Sequence, residues 1–137
     1  MSKKYLFLPH TADVKVQAEG KTLEDAFANS ALALKEAICG GITVEASGRR
    51  RIAVGGRDNE ALLCAFLEEF LYLLDAEGFL LSAVVSVRIS GTSLVAEVDG
   101  DDAGKYVFSN SVKAVTYSEM FVRQEGAGWL VQFVLDV

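Results

Sequence analysis

A chain of 137 residues with one proline, 51% hydrophobic residues and a formal charge of −6 has the size of one compact domain, 1–137, with its own core. At this length folding hides about two thirds of the unfolded surface, so neither disulfides nor a structural zinc is required. The acidity argues against a general phosphate-binding surface, which needs clustered Lys and Arg, and strong direct nucleic-acid binding is not expected. Cys39 and Cys64 are too few and too far apart for a zinc ribbon. Each falls in an apolar helical pattern, which fits reduced core thiols in a cytoplasmic protein.

In chain order, residues 4–8 form a brief apolar entry broken by Pro9. Val14, Val16 and Ala18 then alternate with Lys15, Gln17 and Glu19, the period of a half-buried strand over 13–18. Thr22 is placed to cap a helix whose first turn carries Glu24 and Asp25. Leu23, Phe27, Leu34 and Ile38 share one face of that helix, and Gly40-Gly41 ends it. Residues 42–46 and 51–54 read as two short strands joined around Gly48, which makes Arg49-Arg50-Arg51 a solvated hairpin flank rather than an RNA contact.

Asp58 should cap a second helix over 60–75. Its apolar face (Leu62, Leu63, Phe66, Leu67, Phe70, Leu71, Leu74) is wider than a surface helix needs and belongs at the centre of a core. The apolar run 61–74 contains Glu68 and Glu69 and falls short of the roughly 20 residues that span a bilayer. No membrane or targeting segment is visible. Residues 83–89 and 94–98 flank Ser90-Gly91-Thr92-Ser93 as a hairpin. The acidic stretch 99–104 lacks EF-hand spacing and its terminal Glu, and is expected as a solvated loop. Strands over 112–117, 120–124 and 129–137 complete the chain. The expected fold is α+β: a two-layer domain with a mostly antiparallel sheet and two helices packed on one face.

Asp13 opens the first strand and Asp136 closes the last, each an isolated carboxylate in a β context. If they meet, two carboxylates about 4 Å apart repel by about 4 kcal/mol at an effective dielectric of 20, which a cation or a shared proton must relieve. Taken alone, an aspartate at a strand end is more often a turn or cap residue. His10 offers a ligand or proton carrier but is more often structural. Lys113 could neutralise the acidic pair, contact a phosphate or simply face solvent. No nucleophile elbow, phosphate loop or Cys–His pair is present, so the sequence carries no signature of autonomous catalysis.

Three segments, His10-Thr11-Ala12-Asp13-Val14, Val112-Lys113-Ala114-Val115-Thr116-Tyr117 and Leu135-Asp136-Val137, together resemble the archease family. The resemblance extends to Gly20-Lys21-Thr22-Leu23-Glu24-Asp25-Ala26-Phe27 and to 62–75, in the family's order. It implies a metal-binding accessory protein, not itself an enzyme, that promotes guanylylation and multiple turnover of a GTP-dependent RNA ligase sealing tRNA exons. It places the metal on Asp13 and Asp136 with an oxygen of Val137 nearby, and makes His10 and Lys113 candidates for supporting or partner contacts. Such an oxygen set favours a hard divalent ion, calcium first, with magnesium or manganese as alternatives. Where many members carry a histidine after the Thr-Tyr pair, this chain has Ser118, so that histidine's role does not transfer. Two other readings are a general chaperone or interaction module, and a metal-dependent hydrolase using His10, Asp13 and Asp136.

Overall fold

A computed structural model describes residues 4–8 and 13–137. Among these residues seven strands and two helices follow one another as β1 (Tyr5–Leu8), β2 (Asp13–Gly20), α1 (Leu23–Cys39), β3 (Gly48–Gly55), α2 (Asn59–Glu77), β4 (Phe79–Ser90), β5 (Ser93–Asp102), β6 (Ala114–Glu125) and β7 (Gly128–Asp136), with a 3-10 turn at Ala103–Lys105 after β5.

The helix boundaries follow from local chemistry. Thr22 is extended and its hydroxyl accepts the Asp25 N–H at 3.0 Å; Asp58 does the same for Ala61 at 2.8 Å. Each cap satisfies one donor that the helix leaves unpaired. Gly20 must be glycine, since a Cβ there would sit 2.4 Å from the Ala26 nitrogen. Helix α2 ends on Gly78 in the left-handed conformation (φ 63°), whose N–H returns to the Leu73 and Leu74 carbonyls.

The α+β class holds, with all-antiparallel pairing, but the strands divide into two sheets, ordered β1-β2-β7-β6 and β3-β5-β4. Each helix touches both: α1 packs on β2, β7 and β4, and α2 on β6, β3 and β4. This explains the breadth of the α2 apolar face, which serves two sheets. Phe66, Leu62, Leu63 and Leu67 are fully buried. The Phe66 ring stacks against Phe27 of α1 (centroids 6.1 Å apart) and meets Phe70 edge-on at 5.0 Å, geometries that favour aromatic pairs.

Residues 42–46 are not the strand expected of them; 42–47 form an irregular connection, held by Ser82 Oγ donating to the Val44 carbonyl at 2.6 Å. Residues 112–117 and 120–124 are not two strands. From Ala114 onward they form the single strand β6, whose pairing with β7 slips between Thr116 and Phe121. Among the described residues no helix is long and apolar enough to cross a membrane.

Because Phe66 is fully buried and packs against Phe27 and Phe70, Phe66→Ala should lower unfolding free energy by about 3 to 5 kcal/mol. Urea denaturation of wild type and variant measures this, and a loss under about 1 kcal/mol would place the residue at a surface.

Candidate functional site: a carboxylate pair at the end of the first sheet

Strand β7 is central in the first sheet, flanked by β2 and β6. Its last residue, Asp136, lies directly opposite Asp13 on β2 and opposite Ala114 on β6. The N–H of Lys113 donates to the Asp136 carbonyl at 2.7 Å, which fixes this end of β7 between its neighbours. Directly opposed residues of an antiparallel pair share a face, with Cβ atoms about 4.5–5.5 Å apart. Since the adjoining Leu135 is fully buried and Val14 packs on the same core, the two aspartates share the opposite side of the sheet, at its end, where Asp136 is exposed and Asp13 half-buried. Two residues 123 positions apart are thus brought side by side by strand register alone.

Like charges directly opposed across a ladder are destabilising. The cation nearest in sequence on that face, Lys15, is engaged elsewhere: its Nζ lies 2.8 Å from Glu119 Oε1. Glu119 sits in the slipped part of β6 with φ 55°, an uncommon conformation for a residue with a side chain. Its carbonyl accepts from Gln132 Nε2 at 2.7 Å, and Gln132 Oε1 accepts from Gln17 Nε2 at 2.9 Å. Gln132 is nearly buried, and these bonds satisfy it. The bulge therefore folds a polar network over the face that carries the aspartates.

Among the described residues no group of three or more His, Cys, Asp or Glu side chains gathers at metal-binding range. A cation held by Asp13 and Asp136 would complete its shell with main-chain oxygen and water. Two facing carboxylates without thiolate or imidazole suit a hard ion that tolerates water ligands, as calcium and magnesium do, and not zinc. Lys113 is exposed and lies just before β6, and it lines an open cavity together with Tyr72 and Asp75. His10 lies outside the described residues. The cysteines are buried and free. Burial, with Glu68 beside it, pushes the Cys64 thiol up to about 11, which leaves it protonated and unsuited to nucleophilic or metal chemistry.

The acidic stretch 99–104 is not a solvated loop. Asp99 accepts from Arg49 Nε at 2.8 Å across the β3–β5 pair. Asp101 is 5% exposed and accepts from the Tyr106 hydroxyl at 2.6 Å and the Asp102 N–H at 2.8 Å, with Lys105 Nζ 3.2 Å away. Tyr106 in turn accepts the Glu45 N–H at 3.0 Å, so Asp101 ties the irregular connection 42–47 to the end of β5. Gly100 lets the strands close here, for a Cβ would lie 2.2 Å from the Leu80 carbonyl. The Asp101 carboxylate is a structural anchor, and nothing in the spacing of acids alone revealed that Tyr106 would reach it.

Residues 5–137 match the family model of the Archease protein family. The chain belongs to the archease family. It is 40% identical over 139 residues to protein archease of Pyrobaculum neutrophilum, covering 97% of this chain and 95% of that one. It is 39% identical over 142 residues to protein archease of Thermococcus kodakarensis, covering 98% and 99%. The solution structure of Methanobacterium thermoautotrophicum protein 1598 superimposes with a TM-score of 0.86 at 31% identity, over 99% of this chain and all of that one. An archease of Thermotoga maritima described as a possible chaperone shares the fold, with a TM-score of 0.68 at 17% identity over 95% of this chain and 94% of that one.

The Tyr106 bond, followed by the Asp102 N–H and Lys105, holds the Asp101 carboxyl down to about 2, against about 3.9 in an unfolded chain. A group whose folded value is depressed stabilises the fold above its unfolded value and loses that contribution as pH falls toward the folded one. Wild type should therefore melt above Asp101→Asn at about pH 5 and lose that advantage between about pH 4 and pH 2. Thermal melts of both proteins across this range test it; a constant difference would remove Asp101 from the acid response.

Proposed function

We propose that this archease is a metal-binding accessory protein that promotes guanylylation and multiple turnover of a GTP-dependent RNA ligase in tRNA splicing, working in the cytoplasm and not as an enzyme itself. The observation that carries the reading is the direct pairing of Asp13 with Asp136. These are the aspartates that resemblance to the family assigns to metal, and they fall opposite one another on an accessible face. In this reading both carboxylates, with a main-chain oxygen of Val137, hold a divalent ion, calcium first and magnesium or manganese as alternatives. The bound ion supplies positive charge and open coordination positions that phosphate oxygens can enter. The protein's own part is positional. The β2–β7 register sets Asp13 opposite Asp136, and the Lys113 bond fixes the end of β7.

The description of the Thermotoga maritima relative as a possible chaperone favours a second reading, a general chaperone acting through exposed apolar side chains such as Leu6 and Val107. The two separate cleanly, because a chaperone would suppress aggregation of unrelated proteins without metal. The hydrolase reading, which would use His10, Asp13 and Asp136, has the least support, since the sequence carries no nucleophile elbow, phosphate loop or Cys–His pair.

Asp136→Asn should remove one ligand charge with little change in packing, the residue being exposed. Ligase guanylylation with GTP, measured with substoichiometric accessory protein at limiting metal, should fall by roughly tenfold or more, the scale on which even outer partners of a metal act. Calcium should raise the melting temperature of wild type but not of the variant, and the metal-free variant should melt no lower than wild type. Activation by Asp136→Asn equal to wild type would refute the metal-site mechanism.

A further inference from the structure

Arginine packs in the same way at two places in this molecule. Arg50 lies 4.8 Å above the Phe79 ring while its Nε reaches Glu77 at 3.0 Å. Arg123 lies 4.2 Å above Phe121 with Nε 2.8 Å from Glu125. In each case an aromatic face takes the guanidinium plane and an adjacent carboxylate takes its N–H groups, combining cation–π attraction with a charge-assisted hydrogen bond.

Helix α2 carries a third aromatic–carboxylate pair with no arginine of its own. Its exposed stripe runs through Glu68, Tyr72, Asp75 and Ala76, neighbours at helical spacing, and Tyr72 is 57% exposed. Among the described residues neither Glu69 nor Asp75 has an ion-pair partner. Beside the stripe lies an open cavity of about 640 Å³ lined by Leu71, Tyr72, Asp75, Phe108, Asn110 and Lys113. At the other end of the stripe Tyr117, 55% exposed, neighbours Cys64 and Glu68. An exposed tyrosine at the rim of a hollow whose wall includes Leu71 and Phe108 has the composition of an interface anchor. The face also adjoins the carboxylate pair, because Lys113, on the cavity wall, bonds through its N–H to Asp136.

We propose that the Tyr72–Asp75 edge of this cavity is the docking point for an arginine presented by a protein partner. The guanidinium stacks on Tyr72 and pairs with Asp75, while the rest of the segment fills the hollow against Phe108 and Asn110. Charge favours a cationic occupant: Asp75 lines the hollow and Glu68 lies on the same exposed stripe, against one lining cation, Lys113, on a chain of net charge −6. Arginine fits better than lysine because its planar fork stacks and hydrogen-bonds at once. The proposal builds on the functional reading above, for it says how the accessory protein would hold its ligase.

The test has two arms. In the first, the ¹⁵N-labelled full chain is titrated with N-acetylarginine amide and, separately, with N-acetylglutamine amide. The arginine probe alone should shift the amide signals of Tyr72, Asp75, Phe108 and Asn110, and Asp75→Asn should abolish the effect; equal shifts with both probes, or none, overturn the proposal. In the second, calorimetric binding to the purified ligase should weaken by roughly tenfold or more for Asp75→Arg and for Tyr72→Ala, about 1.4 kcal/mol per decade, while Asp136→Asn still binds. Variants of Tyr72 and Asp75 that bind like wild type overturn the docking site and leave the metal reading intact. A ligase that wild type fails to bind counts against the functional reading alone, and the probe arm then decides the docking site.

Discussion

The antiparallel pairing of β2 with β7 over eight residue pairs, from Asp13↔Asp136 to Gly20↔Trp129, is the constraint on which the rest of the molecule depends. It joins an early strand to the last one, so it closes the first sheet across nearly the whole chain. It also aligns Val16 and Ala18 with Phe133 and Val131 on the face that receives α1. A slip of one residue would turn those side chains to water and part the aspartates onto opposite faces. Burial of the core thus fixes the register, and the register fixes the site. The aspartates need contribute nothing to folding in order to be held in place by it.

The second organising element is α2. Beyond filling the space between two sheets, it covers the open edge of β6. Glu60 Oε2 accepts the Val122 N–H at 3.1 Å, and the Cys64 thiol lies 4.0 Å from the Val115 carbonyl. Unpaired groups on an edge strand invite pairing with another chain, and helix side chains answer some of them here. The same arrangement brings the C-terminal half of α2 alongside Lys113 and the end of β7. The one stripe of α2 that no sheet covers therefore borders the carboxylate pair.

Much of this was legible in the sequence because local chemistry and burial agreed. Thr22 and Asp58 cap where their spacing said, and the wide apolar face of residues 62–74 is the centre of the core. Asp13 and Asp136 fall opposite one another, as residues at the ends of an early and the last strand can. Three features were not legible. The division of the strands into two sheets depends on long-range pairing that alternation cannot specify. The continuity of β6 was hidden by the polar step at Ser118-Glu119, which reads as a turn but is a bulge with Glu119 in the left-handed region. Asp101 looked solvated because its neighbours are acidic, whereas its burial rests on Tyr106 folding back from the following loop. In each case the deciding contact is made by a residue whose partner the local pattern does not name.

The β2–β7 register sets Asp13 opposite Asp136, and the proposed function requires this pair to hold a cation. Titration of the ¹⁵N-labelled protein with Mn²⁺ well below one equivalent tests it most directly, since the paramagnetic ion broadens the amide signals nearest to it. Selective loss of signals from Asp13, Val14, Lys113, Asp136 and Val137, reversed by excess Ca²⁺ and absent in Asp136→Asn, is the expected result. Broadening centred on the acidic stretch 99–102, or spread evenly over the acidic surface, would contradict the account.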